Sequence, residues 1–342
     1  MLPHLSLFIS ILSLNSLLSP PGLVPSLSLQ GQKKEQKSTH KMGSLVGHVA
    51  PGFGFFVIGL WHLLNHIKLH AVNPNYTSLP WFPTSKLRYL ELFLIMGGCS
   101  MSIAMELFIG PADHQPLDQD GTIPSNHLHN FEHSSISMTF FVYASFAIIL
   151  DRMGPKAQYG LTQLLGAIAF AQQLLLFHLH SADHTGVEGQ YHLLLQSVIL
   201  VSLVTTLMGI GNPKSFLISF VRSLSILFQG VWLMFMGFML WTPAFMPKGC
   251  YLNLEEGHKV VRCHSHEALE RAKSLVNLQF SWFLILVTVC AMCLYLFLIK
   301  IYGHKVEYNS LLKYEERDLE EDEDVEAQKK SKLGESKSFV HL

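Results

Sequence analysis

The sequence predicts an all-α fold: a polytopic membrane protein built as a bundle of seven transmembrane helices. Three observations predict it. Of 342 residues, 49% are hydrophobic and only 14% are charged, where a soluble domain carries about 25% charged residues. The mean hydropathy is +0.30. Seven segments reach the ~20 apolar residues that a helix needs to cross the hydrocarbon. The net charge of −1 points to no nucleic-acid partner. The partner implied is the lipid bilayer.

Residues 1–41 stand apart as an N-terminal extension. A Leu/Ser-rich run from Leu5 to Leu18 leads into Pro20-Pro21 and a basic stretch from Lys33 to Lys41. The run resembles the core of a signal peptide but has no basic segment before it. Two readings stand: an upstream, disordered extension ahead of a start at Met42, or a targeting segment.

Residues 42–302 form the membrane domain. Its spans are expected at 47–68, 88–110, 132–150, 159–180, 190–211, 216–241 and 274–302. Pro51 and Gly59 fall inside the first, which a membrane helix tolerates. Connections are short except for 242–273. Residues 303–342 are a polar, charged tail, acidic from Glu315 to Glu326 and basic from Lys329, read as disordered and solvated.

Basic residues orient the bundle. Lys68, Lys86 and Arg88 flank the first connection, Arg152 and Lys156 the third, and Lys214 the fifth, while the second and fourth carry no Lys or Arg. The N-terminus is therefore expected outside or in the lumen, and the tail in the cytosol. The 242–273 loop dissents, with Lys248, Lys259, Arg262, Arg271 and Lys273 on the outer side. Cys250 and Cys263 fall in that loop, where oxidation is possible. They are either a disulfide or two free thiols. Asn75-Tyr76-Thr77 is a glycosylation sequon placed in the cytosol, and is expected to be unmodified.

The chemistry concentrates at one end. His127-Leu128-His129-Asn130-Phe131-Glu132-His133 and His178-Leu179-His180-Ser181-Ala182-Asp183-His184 both read H-L-H-x-x-acid-H. Alternating helix direction brings His48, Glu106, His129, His133, His178, His180 and His192 to the same, outer end. The pairs His129/His133 and His180/His184 are spaced i, i+4, which places two imidazoles on one helical face. Glu106 is a carboxylate within an apolar helix, which is costly unless paired or functional. Glu132 and Asp183 are available as outer-shell carboxylates. This nitrogen and oxygen donor set suits Zn²⁺, or Fe or Mn with more carboxylate. A second stripe, His62, His66 and His70, lies on one helix at the opposite end, has no acidic partner, and is read as interfacial.

Gly47-His48-Val49-Ala50-Pro51-Gly52, Gly59-Leu60-Trp61, Glu106, His133-Ser134, the H-x-H of His178 and His180, and Ser223 through Trp232 together resemble the transmembrane protein 45 family. The resemblance covers residues 43–302. It implies a seven-helix membrane protein of the endomembrane system (Golgi or post-Golgi) or plasma membrane, without an established activity. Plant members have been described as viral-response proteins. The chain departs from the family in its 1–41 extension, in a longer segment between His180 and His192, and in its tail.

In that tail, Glu307, Tyr308, Leu311 and Leu312 fit two sorting patterns at once, tyrosine-x-x-hydrophobic and acid-x-x-x-Leu-Leu. Cytosolic sorting adaptors are the partners such patterns imply. Three functions compete. The first is a trafficking or stress- and virus-response-associated membrane protein with a metal site. The second is a Zn-dependent lipid hydrolase, with Glu106 or Asp183 as general base. The third is a metal or proton sensor or transporter.

Overall fold

The computed structural model describes residues 43–110, 115–179, 186–255 and 258–338, with the backbone alone at 43–44, 126, 254–255, 258–259 and 304–338. The N-terminal extension lies outside the described residues. Among the described residues, seven helices are long and apolar enough to cross a membrane, and the chain is a multi-pass membrane protein.

The helices are α1 (Gly43–Val72), α2 (Leu90–Ala104), α3 (Leu128–Met153), α4 (Gln158–Leu179), α5 (Gly186–Gly211), α6 (Phe216–Trp241) and α7 (His266–Ser338). Two termini have a clear local cause. Gly154 stops α3 by adopting the left-handed conformation (φ 62°) that glycine takes without strain. Ser215 caps α6 by accepting from the backbone N–H of Ile218 at 3.4 Å.

The central helix is α6. Its apolar window is 67% buried, against 6% for that of α2. It packs most closely on α1, where Gly59 and Gly230 remove the side chains that would keep the backbones apart. A Cβ at Gly59 would overlap the backbone of Leu227, and one at Gly230 the backbone of Phe56. Small residues at such a seam let membrane helices associate through van der Waals contact. Trp232 is fully buried and donates its indole N–H to the Tyr191 carbonyl at 3.1 Å, joining α6 to α5. Ser202 and Ser225 repeat that link lower in the bundle at 2.9 Å.

Two features differ from the expectation. The 242–273 connection holds a two-stranded antiparallel hairpin, β1 (Cys250–Glu255) and β2 (His258–Cys263), with Cys250 paired to Cys263 in register. Those two cysteines are joined by a disulfide. The second difference is the tail, expected as disordered: the backbone of α7 stays helical to Ser338. The tail is rich in Glu, Lys and Leu and holds no proline and no glycine between Gly303 and Gly334, so nothing local breaks the helix.

Candidate functional site

At the end of the bundle that carries His48 and His192, α2 does not finish as a regular helix. Met105–Ile109 forms a π-turn, closed by the Gly110 N–H bonding to the Met105 carbonyl at 2.7 Å. Such single turns insert one residue into a helix and concentrate at functional sites. This one carries Glu106. The carboxylate accepts from the Asn130 side-chain amide at 2.7 Å and meets His133 Nδ1 at 3.3 Å. The amino end of α1 runs beside it, since a Cβ on Gly47 would lie 3.9 Å from Glu106 Oε1.

A second pair stands alongside. His48 of α1 meets His192 of α5 edge to face, with ring centroids 5.7 Å apart, and lies 4.4 Å from Trp241. His192 is 2% exposed, and its Nδ1 lies 3.0 Å from the Glu188 carbonyl. A carbonyl only accepts, so Nδ1 carries a proton. A carbonyl held this way by a ring N–H is the arrangement that orients a metal-ligating histidine. Phe177 stands between the pairs, 6.5 Å from His133 and 5.8 Å from His192.

The other expected residues divide. His129 sits at the rim, 6.3 Å from the His133 ring. His178 is exposed and engages Gln196 at 3.2 Å. His180 and Asp183 lie outside the described residues. Among the described residues, no group of three or more His, Cys, Asp or Glu is arranged to hold a metal ion. Glu307, Tyr308, Leu311 and Leu312 lie on the helical backbone of α7.

The opposite end overturns the expectation for His62 and His66. His62 Nε2 lies 2.7 Å from Glu91 Oε1, with both side chains buried. Glu91 also accepts from Trp61 Nε1 at 3.0 Å and from the Phe82 backbone N–H at 2.9 Å. The acidic partner was missed because it comes from the first turn of α2, delivered by a connection that folds back into the bundle. Trp81, Phe82 and Tyr76 of that connection are all buried.

Arg222 of α6 is the second missed residue. It is 4% exposed and donates to Gln163 Oε1 at 2.6 Å, Ser78 Oγ at 3.3 Å and the Leu79 carbonyl at 3.2 Å. It also reaches His66 Nε2 at 3.2 Å. A guanidinium only donates, so His66 accepts there, and its Nδ1–H is given to the Tyr76 hydroxyl at 2.8 Å. A signal was present in the sequence: an arginine inside an apolar span is costly and marks a buried network.

Residues 159–296 match the model of a protein family described as a family of unknown function, DUF716. The matched stretch runs from α4 into α7 and holds His178, His192 and Arg222; Glu91 and Glu106 precede it.

Proposed function

We propose that this chain is a membrane protein of the transmembrane protein 45 kind whose outer end binds a transition-metal ion, in a role tied to trafficking or to stress and virus responses. The family resemblance of residues 43–302 and the DUF716 match over 159–296 support the first part. The metal reading rests on one observation. His48, Glu106, His133 and His192 converge from four helices, with Glu106 on a π-turn and His192 already oriented through Nδ1.

The donors are imidazole and carboxylate, which suits Zn²⁺ first and Fe or Mn second. Glu106–His133 and His48–His192 stand as two half-sites parted by Phe177, so ion binding is expected to draw them together. An endomembrane or plasma-membrane location with this end facing the lumen or the outside places the site where it reads ions away from the cytosol. The cytosolic tail, with Glu307, Tyr308, Leu311 and Leu312, is then the part read by sorting adaptors.

Metal analysis of the purified full chain tests this reading. Near-stoichiometric Zn, Fe or Mn is expected. Glu106→Gln and His192→Ala should each weaken binding about 10- to 100-fold while leaving the folded fraction intact. Metal-free protein whose melting temperature ignores added Zn²⁺ would sink it.

A further inference from the structure

A cavity of about 480 Å³ opens where the α1–α2 connection meets the start of α6. We propose that it binds a phosphate group, carried by the headgroup of an anionic membrane lipid. This site is at the opposite end of the bundle from the Glu106 cluster and does not depend on it.

The lining carries the argument. Lys214 supplies an ammonium, Asn73 and Asn75 supply amides and Thr77 a hydroxyl, and no acidic side chain lines the cavity. Lys214 is exposed and has no ion-pair partner among the described residues. Arg88, another cation of this end, is committed to Asp151 by two bonds at 2.9 and 3.0 Å. An unneutralised ammonium beside several neutral donors is a site for an oxyanion. Asn73 Oδ1 accepts from the Asn75 backbone N–H at 2.9 Å, which fixes the Asn73 side chain and leaves its NH₂ group to donate.

The walls are built before a ligand arrives. His70 stacks on Phe216 with centroids 4.0 Å apart and an interplanar angle of 8°. The Ser78 N–H bonds to the Pro213 carbonyl at 2.6 Å, tying the connection to the residue before Lys214. Tyr76 forms the back wall, and its hydroxyl is held by His66, which Arg222 holds in turn. Burial keeps the Tyr76 phenol above its ordinary pKa, so the wall stays neutral beside an anion.

Position selects the source of the phosphate. The cavity sits at the last residues of α1 and the first of α6, where spans end and headgroups begin. Lys68 near the end of α1 does not line the cavity, since its Nζ lies over the Tyr302 ring, 5.7 Å from the centroid, so Lys214 is the cation that faces the ligand. Basic pockets between helices at a membrane surface are sites for phosphorylated headgroups.

The test uses the purified full chain in detergent, melted by tryptophan fluorescence with dioctanoyl phosphatidic acid, dioctanoylglycerol or inorganic phosphate. Phosphatidic acid should raise the melting temperature and dioctanoylglycerol should not. Lys214→Met should melt as wild type without ligand yet bind phosphatidic acid about tenfold more weakly. Lys156→Met, a cation of the same end outside the cavity, should bind as wild type. A matching shift with inorganic phosphate, lost in Lys214→Met, supports the phosphate site and assigns it a soluble ligand. The proposal is overturned if no phosphate compound shifts the melt, or if Lys156→Met loses as much as Lys214→Met.

Discussion

His62 and Glu91 meet at 2.7 Å in the interior of the bundle, across two helices and a connection that folds between them. Three donors converge on this one carboxylate. Replacing it with leucine would strand the Trp61 indole and the Phe82 backbone N–H without acceptors. Each stranded donor costs about 1–3 kcal/mol, so Glu91→Leu is expected to lower stability by about 2–6 kcal/mol. Glu91→Gln keeps a carbonyl for Trp61 and Phe82, and its amide can donate to Nε2 once His62 changes tautomer. The glutamine variant should therefore lie within about 1 kcal/mol of wild type. Chemical denaturation in detergent separates the two, and equal losses would contradict the hydrogen-bond assignment.

The contrast between the two ends explains what the sequence made legible. The seven spans follow from runs of apolar residues, and the structure moves the ends of the first six by only a few residues, as in α1, where 47–68 becomes Gly43–Val72, while the last, expected at 274–302, becomes His266–Ser338. That His48, Glu106, His133 and His192 lie at one end of the bundle was also readable, because helix direction alternates. His178 escaped that logic, since helical position alone does not say that its ring turns to Gln196. The inner network was not readable in the same way. Its contacts join residues 29 and 156 positions apart, and they depend on the 73–88 connection burying Tyr76, Trp81 and Phe82. Short-range spacing carries no trace of that fold-back.

The α1–α6 seam makes a sharper prediction than composition could. Gly59→Ala places a methyl group against the Leu227 backbone, which cannot yield as a flexible side chain would. A loss of about 3 kcal/mol is expected, seen as an early melt or failure to purify as a monodisperse protein. Gly98→Ala, on α2, has nothing within 4 Å of the added Cβ. It should be neutral to within about 0.5 kcal/mol. Equal behaviour of the two variants would refute the close approach of α1 and α6.

The hairpin depends on its covalent tie. Cys250 and Cys263 close a short loop, with a sequence separation of 13. Loop-closure entropy puts the contribution of such a bridge at about 3 kcal/mol. Paired Cys250→Ser and Cys263→Ser substitutions should make the hairpin open to protease while the helices stay resistant. Val261 is 2% exposed and anchors β2 in the core, so complete unfolding is not expected. A hairpin cut at the wild-type rate would show that packing alone holds it.

Orientation can be read with two sequons at opposite ends of the bundle. Asn75 is exposed in the α1–α2 connection and precedes Tyr76-Thr77, at the end that carries Lys68, Arg88, Arg152 and Lys214. Asp120 is exposed in the α2–α3 connection and precedes Gly121-Thr122, so Asp120→Asn completes a sequon at the other end. The exchange is structurally mild. Asp120 Oδ1 accepts from the Thr122 N–H at 3.0 Å and from its hydroxyl at 2.7 Å, and an asparagine oxygen takes both bonds. With the cationic end in the cytosol, wild type should carry no glycan, and Asp120→Asn should gain a glycosidase-sensitive mass shift. A glycan on Asn75 with none in Asp120→Asn would invert the bundle. The Glu106–His133 pair would then face the cytosol, and the tail with Tyr308 and Leu311 would face the lumen or the outside, beyond reach of any cytosolic adaptor.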